Sequence, residues 1–103
     1  MRRVQKRVLV RGALAETSAR SIYRRQAEKL HLVGWVQASD DGGLELVVNG
    51  PERAVDTFIG WIRRGPLSSL TEGVEVRTEP REAFFEFSVR LPEPPLDKEG
   101  DLE

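Results

Sequence analysis

The chain contains no cysteine. Disulfides, thiolate metal sites and thiol nucleophiles are therefore excluded, and any catalysis has to use oxygen, nitrogen or bound water. Charge of one sign is also missing. Sixteen basic residues face seventeen acidic ones, for a formal net charge of -1, so there is no overall pull toward nucleic acid or an anionic membrane. Long apolar runs are absent too. The N-terminal "MRRVQKRVLV" starts basic, but Gln5, Lys6 and Arg7 interrupt it, and no stretch is long enough to span a bilayer. The expectation is a soluble, cytoplasmic protein.

What remains, 103 residues with 39% hydrophobic content, is the size of one small domain with one core. That domain is placed at 1–91. The tail at 92–103, "PEPPLDKEGDLE", has three prolines, many charges and few apolar groups. It cannot offset its ordering entropy by burial and is expected to be disordered, with Leu102-Glu103 read as a vector remnant. No internal repeat is visible.

Within the domain, Val4, Val8 and Val10 are apolar while Gln5, Arg7 and Arg11 are polar, the period-2 pattern of a half-buried strand. Ala19, Ile22, Tyr23, Ala27 and Leu30 recur at helical spacing, with Thr17 or Ser18 as N-cap and His31 at the terminating position. Histidine tolerates left-handed geometry, so His31 reads as a helix end rather than as a base or ligand. "VGWVQAS" and "GLELVVN" flank Asp40, Asp41, Gly42 and Gly43 as a hairpin. "GPERAVDTFIGWIRRGP" is a second helix, with Pro51 in its first turn, Val55, Phe58, Ile59 and Ile62 as its buried stripe, and Gly65-Pro66 as its stop. "GVEVRTE" and "AFFEFSVRL" are the last strand candidates. In the second, Phe85, Phe87 and Val89 are expected to share one face with Ala83 and Leu91. The order strand, helix, strand, strand, helix, strand, with an extra strand near 73–79, predicts an α+β fold. It is a ferredoxin-like βαββαβ two-layer sandwich, with two helices on one face of an antiparallel sheet.

"VRGALAETSAR" joins the first strand to the first helix. Gly12 follows an apolar run and Arg20 begins a helix, a layout in which backbone N–H groups and a guanidinium hold an anion. Glu16 lies between them and opposes that role.

The stretch from Lys29 to Pro66 resembles acylphosphatases. Their helix-ending Leu-Gly-Leu, Gly-Trp-Val, Asp-Gly hairpin, strand-ending Gly and helix-ending Gly-Pro correspond to Leu30-His31-Leu32, Gly34-Trp35-Val36, Asp41-Gly42, Gly50 and Gly65-Pro66. The resemblance implies hydrolysis of acyl phosphates to carboxylate and phosphate, by water attacking phosphorus, without metal or organic cofactor. It also implies a substrate-binding loop of the form Gly-x-Val-Gln-Gly-Val-x-Phe-Arg, which falls here on Gly12, Ala13, Leu14, Ala15, Glu16, Thr17, Ser18, Ala19 and Arg20. Gly12 and Arg20 match that form, whereas Leu14, Ala15, Glu16, Thr17 and Ala19 depart from it. The family's water-positioning Asn corresponds to Ala38, whose methyl group neither donates nor accepts a hydrogen bond.

These departures predict a degenerate site that is weakly active or inactive. Arg20 keeps two readings: the phosphate-binding guanidinium, or a surface residue paired with Glu16 four positions before it. Strand alternation aims Gln37 and Ser39 away from the face of residue 38, so neither replaces the Asn. The ligands implied are an acyl phosphate or phosphate anion. The alternative is a non-catalytic interaction module with a protein partner. RNA is a lesser alternative, resting on the basic cluster Arg2, Arg3, Lys6, Arg7 and Arg11 with Arg24 and Arg25. Against RNA, the exposed face of the first and third strands offers no aromatic, and Trp35, Trp61 and the phenylalanines are expected in the core.

Overall fold

Alternating valines build the first strand. Val4, Val8 and Val10 of β1 (Arg3–Gly12) point into the core and are nearly inaccessible, while Arg7 and Arg11 point away. A computed structural model describes residues 2–90; the expected tail at 92–103 lies outside them. After β1 come α1 (Ala19–Lys29), β2 (Val33–Ala38), β3 (Leu44–Pro51), α2 (Glu52–Arg64), a short 3-10 turn (Ser68–Leu70), β4 (Thr71–Glu79) and β5 (Phe87–Arg90). Among the described residues no helix is long and apolar enough to cross a membrane.

Both helices bury one stripe each against the same sheet face. Ala19, Tyr23 and Ala27 of α1 and Val55, Phe58, Ile59 and Ile62 of α2 join Val8, Val10, Val36, Leu46 and Val48 in one cluster. Tyr23, Phe58, Trp61 and Phe87 form its aromatic centre, with ring centroids 5.5 to 6.4 Å apart. His31, at φ 59°, ends α1, and the His31 and Leu32 amides donate to the Glu28 and Ala27 carbonyls. Gly34, at φ 135°, lies so close to β3 that a Cβ there would run into the Val47 carbonyl.

The strand order is β4-β1-β3-β2-β5. The expected α+β sandwich is present, but the sheet is mixed: β5 runs parallel to β2, while the other three neighbouring pairs are antiparallel. The extra strand is also β5 rather than the stretch at 73–79. Residues Thr71–Glu79 follow α2 directly and pair with β1 from Gly12↔Thr71 to Gln5↔Glu79, which makes β4 the fourth strand of the βαββαβ unit. Residues 80–86 then cross to the opposite edge, so β5 starts at the same end as β2 and runs beside it.

That crossing covers part of the open sheet face and explains two further departures. Glu82 is fastened there by Gln5, whose Oε1 accepts from the Glu82 amide at 2.7 Å, and by Asn49, whose Nδ2 donates to the Glu82 carbonyl at 3.2 Å. Gly34 N donates to the Glu86 carbonyl at 3.0 Å. The chain straightens into β5 only at Phe87, so Phe87 is buried while Phe85 is 96% exposed, outside the common face expected for it. Trp35 is buried, as expected, but on the open face instead of among the helices. Arg7 lies 5.5 Å and Arg90 4.1 Å from its ring centre.

Candidate functional site

The β1–α1 loop leaves the sheet at Gly12, whose φ of 144° sets its Cα against the Leu70 carbonyl, where a side chain has no room. Two residues on, Leu14 is fully buried and anchors the loop in the core. Its amide and that of Ala15 donate to the Gly42 carbonyl at 3.0 and 2.8 Å, and the Leu14 amide also reaches Gly12 O at 3.0 Å. Thr17 closes the next turn. Its amide and hydroxyl both donate to Leu14 O, at 3.1 and 2.6 Å, and its Oγ1 accepts from the Ala19 amide at 3.0 Å. Thr17, not Ser18, thus supplies the side-chain bond at the start of α1. The amides of Leu14, Ala15, Thr17 and Ala19 all have protein acceptors.

The acceptor for two of them is the β2–β3 turn. Ser39 N bonds to Gly43 O at 2.9 Å, Gly42 N to Ser39 O at 3.1 Å, and Gly43 N to the Asp41 carboxylate at 3.0 Å. Gly42 sits at φ 91°, which orients the turn toward the loop. The Gly43 amide, then the Ser39 hydroxyl and the positive charge of Arg11, hold the Asp41 carboxyl below its ordinary pKa.

Arg20 is half-buried in the first turn of α1. Its Nη2 donates to the Ala15 carbonyl at 3.5 Å and its Nη1 to the Arg90 carbonyl at 3.4 Å. The pairing with Glu16, one of the two readings of Arg20, does not form; the guanidinium turns to these two carbonyls instead. Arg90 pairs with Gln37 across β5 and β2, so Arg20 reaches the end of the sheet where Ala38 closes β2. Gln37 points to the other face, as alternation predicts, and donates to Glu45 at 3.1 Å. Loop, Arg20 and residue 38 therefore gather at one end of the fold.

An open cleft of about 500 Å³ lies beside the loop. It is lined by Gly12, Ala13, Ala15 and Gly42 with the charged residues Arg11, Glu16, Asp41 and Glu72, whereas Arg20 and Ala38 are not part of its lining. Arg11, Asp41 and Glu72 were not singled out from the sequence as site residues. Glu72 is distant in the chain and arrives only because Thr71 pairs with Gly12, a register that no local pattern encodes. Among the described residues no three acidic or histidine side chains are grouped to hold a metal ion.

Comparison with known proteins finds relatives of the chain. The acylphosphatase family profile matches residues 6–89. An acylphosphatase of Caldivirga maquilingensis is 42% identical over 89 residues, covering 84% of this chain and 94% of that protein. Two solved structures share the fold. The acylphosphatase of Coxiella burnetii has a TM-score of 0.79 at 28% identity, over 85% of this chain and 93% of that one. That of Bacillus subtilis has a TM-score of 0.78 at 30% identity, over 84% and 98%.

Proposed function

The chain belongs to the acylphosphatase family, and we propose that it is a member whose hydrolysis of acyl phosphates is weak or lost, with the scaffold retained for binding. One observation carries the reading: Arg20 and four of the loop's amides are engaged with the protein itself, while those of Ala13, Glu16 and Ser18 have no such acceptor among the described residues. Four loop amides donate to Gly42, Leu14 and Thr17, and Arg20 donates to the Ala15 and Arg90 carbonyls. Arg20 is the group most easily freed, because bonds of 3.4 and 3.5 Å are long and weak. A released guanidinium supports residual anion binding.

Two further residues oppose turnover. Glu16 stands in the middle of the loop, so a phosphate dianion arriving there meets like charge, at a cost of about 1 kcal/mol per neighbouring carboxylate after solvent screening. At residue 38 a methyl group replaces the amide that would position water, and losing one positioned donor costs roughly a hundredfold or more in rate. The family reaction breaks the P–O bond to the acyl group as water adds to phosphorus. Here Arg20 serves to hold the phosphoryl group, while nothing at residue 38 orients the water.

Titration with inorganic phosphate, followed on backbone amide signals, tests the binding half of this reading. The expected result is a weak, salt-sensitive shift confined to Gly12–Ser18 and abolished by Arg20→Ala. Tight, saturating binding would contradict it, and unchanged spectra at high phosphate would remove Arg20 as a retained anion site.

A further inference from the structure

At the end of the sheet opposite the β1–α1 loop, the crossing segment roofs a second pocket of about 340 Å³. It is lined by Arg3 and Val33, at the starts of β1 and β2, by Asn49 near the end of β3, and by Arg81, Glu82, Ala83 and Phe84 of the crossing segment. We infer that this pocket binds a small organic carboxylate with an apolar body.

Electrostatics is the first support. Arg3 and Arg81 form no ion pair with a carboxylate among the described residues. Glu82, the one carboxylate of the lining, accepts instead from Gln5 Nε2 at 3.1 Å, and that nitrogen also bonds Glu79 at 2.7 Å. The lining thus carries two guanidinium groups against one carboxylate, a net positive charge, and the planar forks match a carboxylate's two oxygens. Rigidity is the second. Asn49 is only 4% exposed, and its Oδ1 accepts from Arg3 Nη2 at 3.3 Å, while its Nδ2 donates to Gln5 Oε1 at 3.1 Å and to Glu82 O. One guanidinium is thereby positioned by a buried amide that is itself fixed, and the roof carrying the other is fastened at Glu82 and Glu86.

Chemical class follows from the remaining wall. Val33, Ala83 and Phe84 supply apolar surface beside the two charges, and the volume lies in the range of small-molecule sites. An anion with an aromatic or aliphatic body uses both parts, whereas inorganic phosphate uses only one. The ten residues of β1 separate the pocket from the cleft at the loop, on the order of 30 Å at strand rise. Ligand at one site therefore does not occupy the other.

Benzoate is the probe, titrated into the full chain and followed on amide signals, with inorganic phosphate as a second arm. The variants are Arg81→Gln, Arg3→Gln and Arg20→Ala, with thermal midpoints confirming that each folds. The expected result is saturable, salt-sensitive benzoate shifts centred on Glu82, Ala83 and Phe84. These should weaken about tenfold, as loss of one charge-assisted bond predicts, in Arg81→Gln and in Arg3→Gln, and stay unchanged in Arg20→Ala. Absent shifts, or shifts that survive both substitutions or track Arg20, would overturn the site. Phosphate binding there as tightly as benzoate would overturn the assigned ligand class.

Discussion

Replacing Tyr23 by Phe should stabilise the protein. The ring is fully buried and packs edge-on against Phe58 and Trp61, with centroids 6.3 and 5.5 Å away. Its hydroxyl has no hydrogen-bond partner among the described residues; the neighbouring Thr71 hydroxyl donates to the Leu67 carbonyl at 3.0 Å. Phenylalanine keeps the ring contacts and removes a buried polar group whose desolvation costs roughly 1 to 3 kcal/mol. A void the size of one oxygen takes back about 0.4 kcal/mol. The net gain of about 1 to 2 kcal/mol should raise the thermal midpoint by at least about 4 °C for a domain of this size. Burial also raises the Tyr23 pKa. Wild-type stability is then complete below the unfolded tyrosine value of about 10 and falls as pH rises above it, so the advantage of the variant widens at alkaline pH. Scanning calorimetry at neutral and alkaline pH reads both effects. A midpoint lowered by about 4 °C or more would refute the reasoning, because it would mean that the hydroxyl is satisfied in the native state.

Three more outcomes follow from the same geometry. Arg7 joins Glu45 and Glu79 on the open face; burial opposes its charge, but its bonds to Glu79 and Glu45 outweigh that and hold its pKa above the ordinary value. Arg7→Ala should cost about 2 kcal/mol by urea unfolding, between the exposed and buried limits for ion pairs. Combined with Glu79→Ala it should cost less than the sum of the two single changes, and strict additivity would contradict the pairing. Asp41 has a lowered pKa through Gly43, Ser39 and Arg11, so its stabilising effect is full above the unfolded carboxylate value of about 3.9 and is lost as pH falls through the lower folded value. The stability gap between wild type and Asp41→Ala should accordingly close in acid, and a gap that stays constant with pH would argue against the carboxylate. Gly34→Ala forces a Cβ into the Val47 carbonyl at positive φ; it should destabilise by more than about 2 kcal/mol, and a near-neutral result would show that β2 and β3 separate freely.

The helices were legible because their apolar spacing and terminators agree: Val55, Phe58, Ile59 and Ile62 form the buried stripe of α2, and His31 takes the left-handed position after α1. The sheet was legible in content but not in connection. Nothing local distinguishes 71–79 from 87–90 as the strand beside β1, since pairing partners such as Gln5 and Glu79 lie far apart in the chain and are set by the crossing of 80–86. That crossing also turned Phe85 outward and buried Gln5 at 0% exposure, a residue whose place in an alternating strand marks it as solvated. At the site, Arg20 and residue 38 were visible by resemblance. The Gly42 carbonyl was not, because a backbone acceptor has no residue signature; neither was Glu72, which β4 delivers.

The most direct measurement is hydrolysis of benzoyl phosphate by the purified protein beside Arg20→Ala and the double variant Glu16→Gly/Ala38→Asn. The account predicts little or no turnover in the wild type and activity emerging in the double variant. Clear wild-type turnover that disappears in Arg20→Ala would contradict it, and would mean that other groups at this end of the sheet hold the phosphate and guide the water.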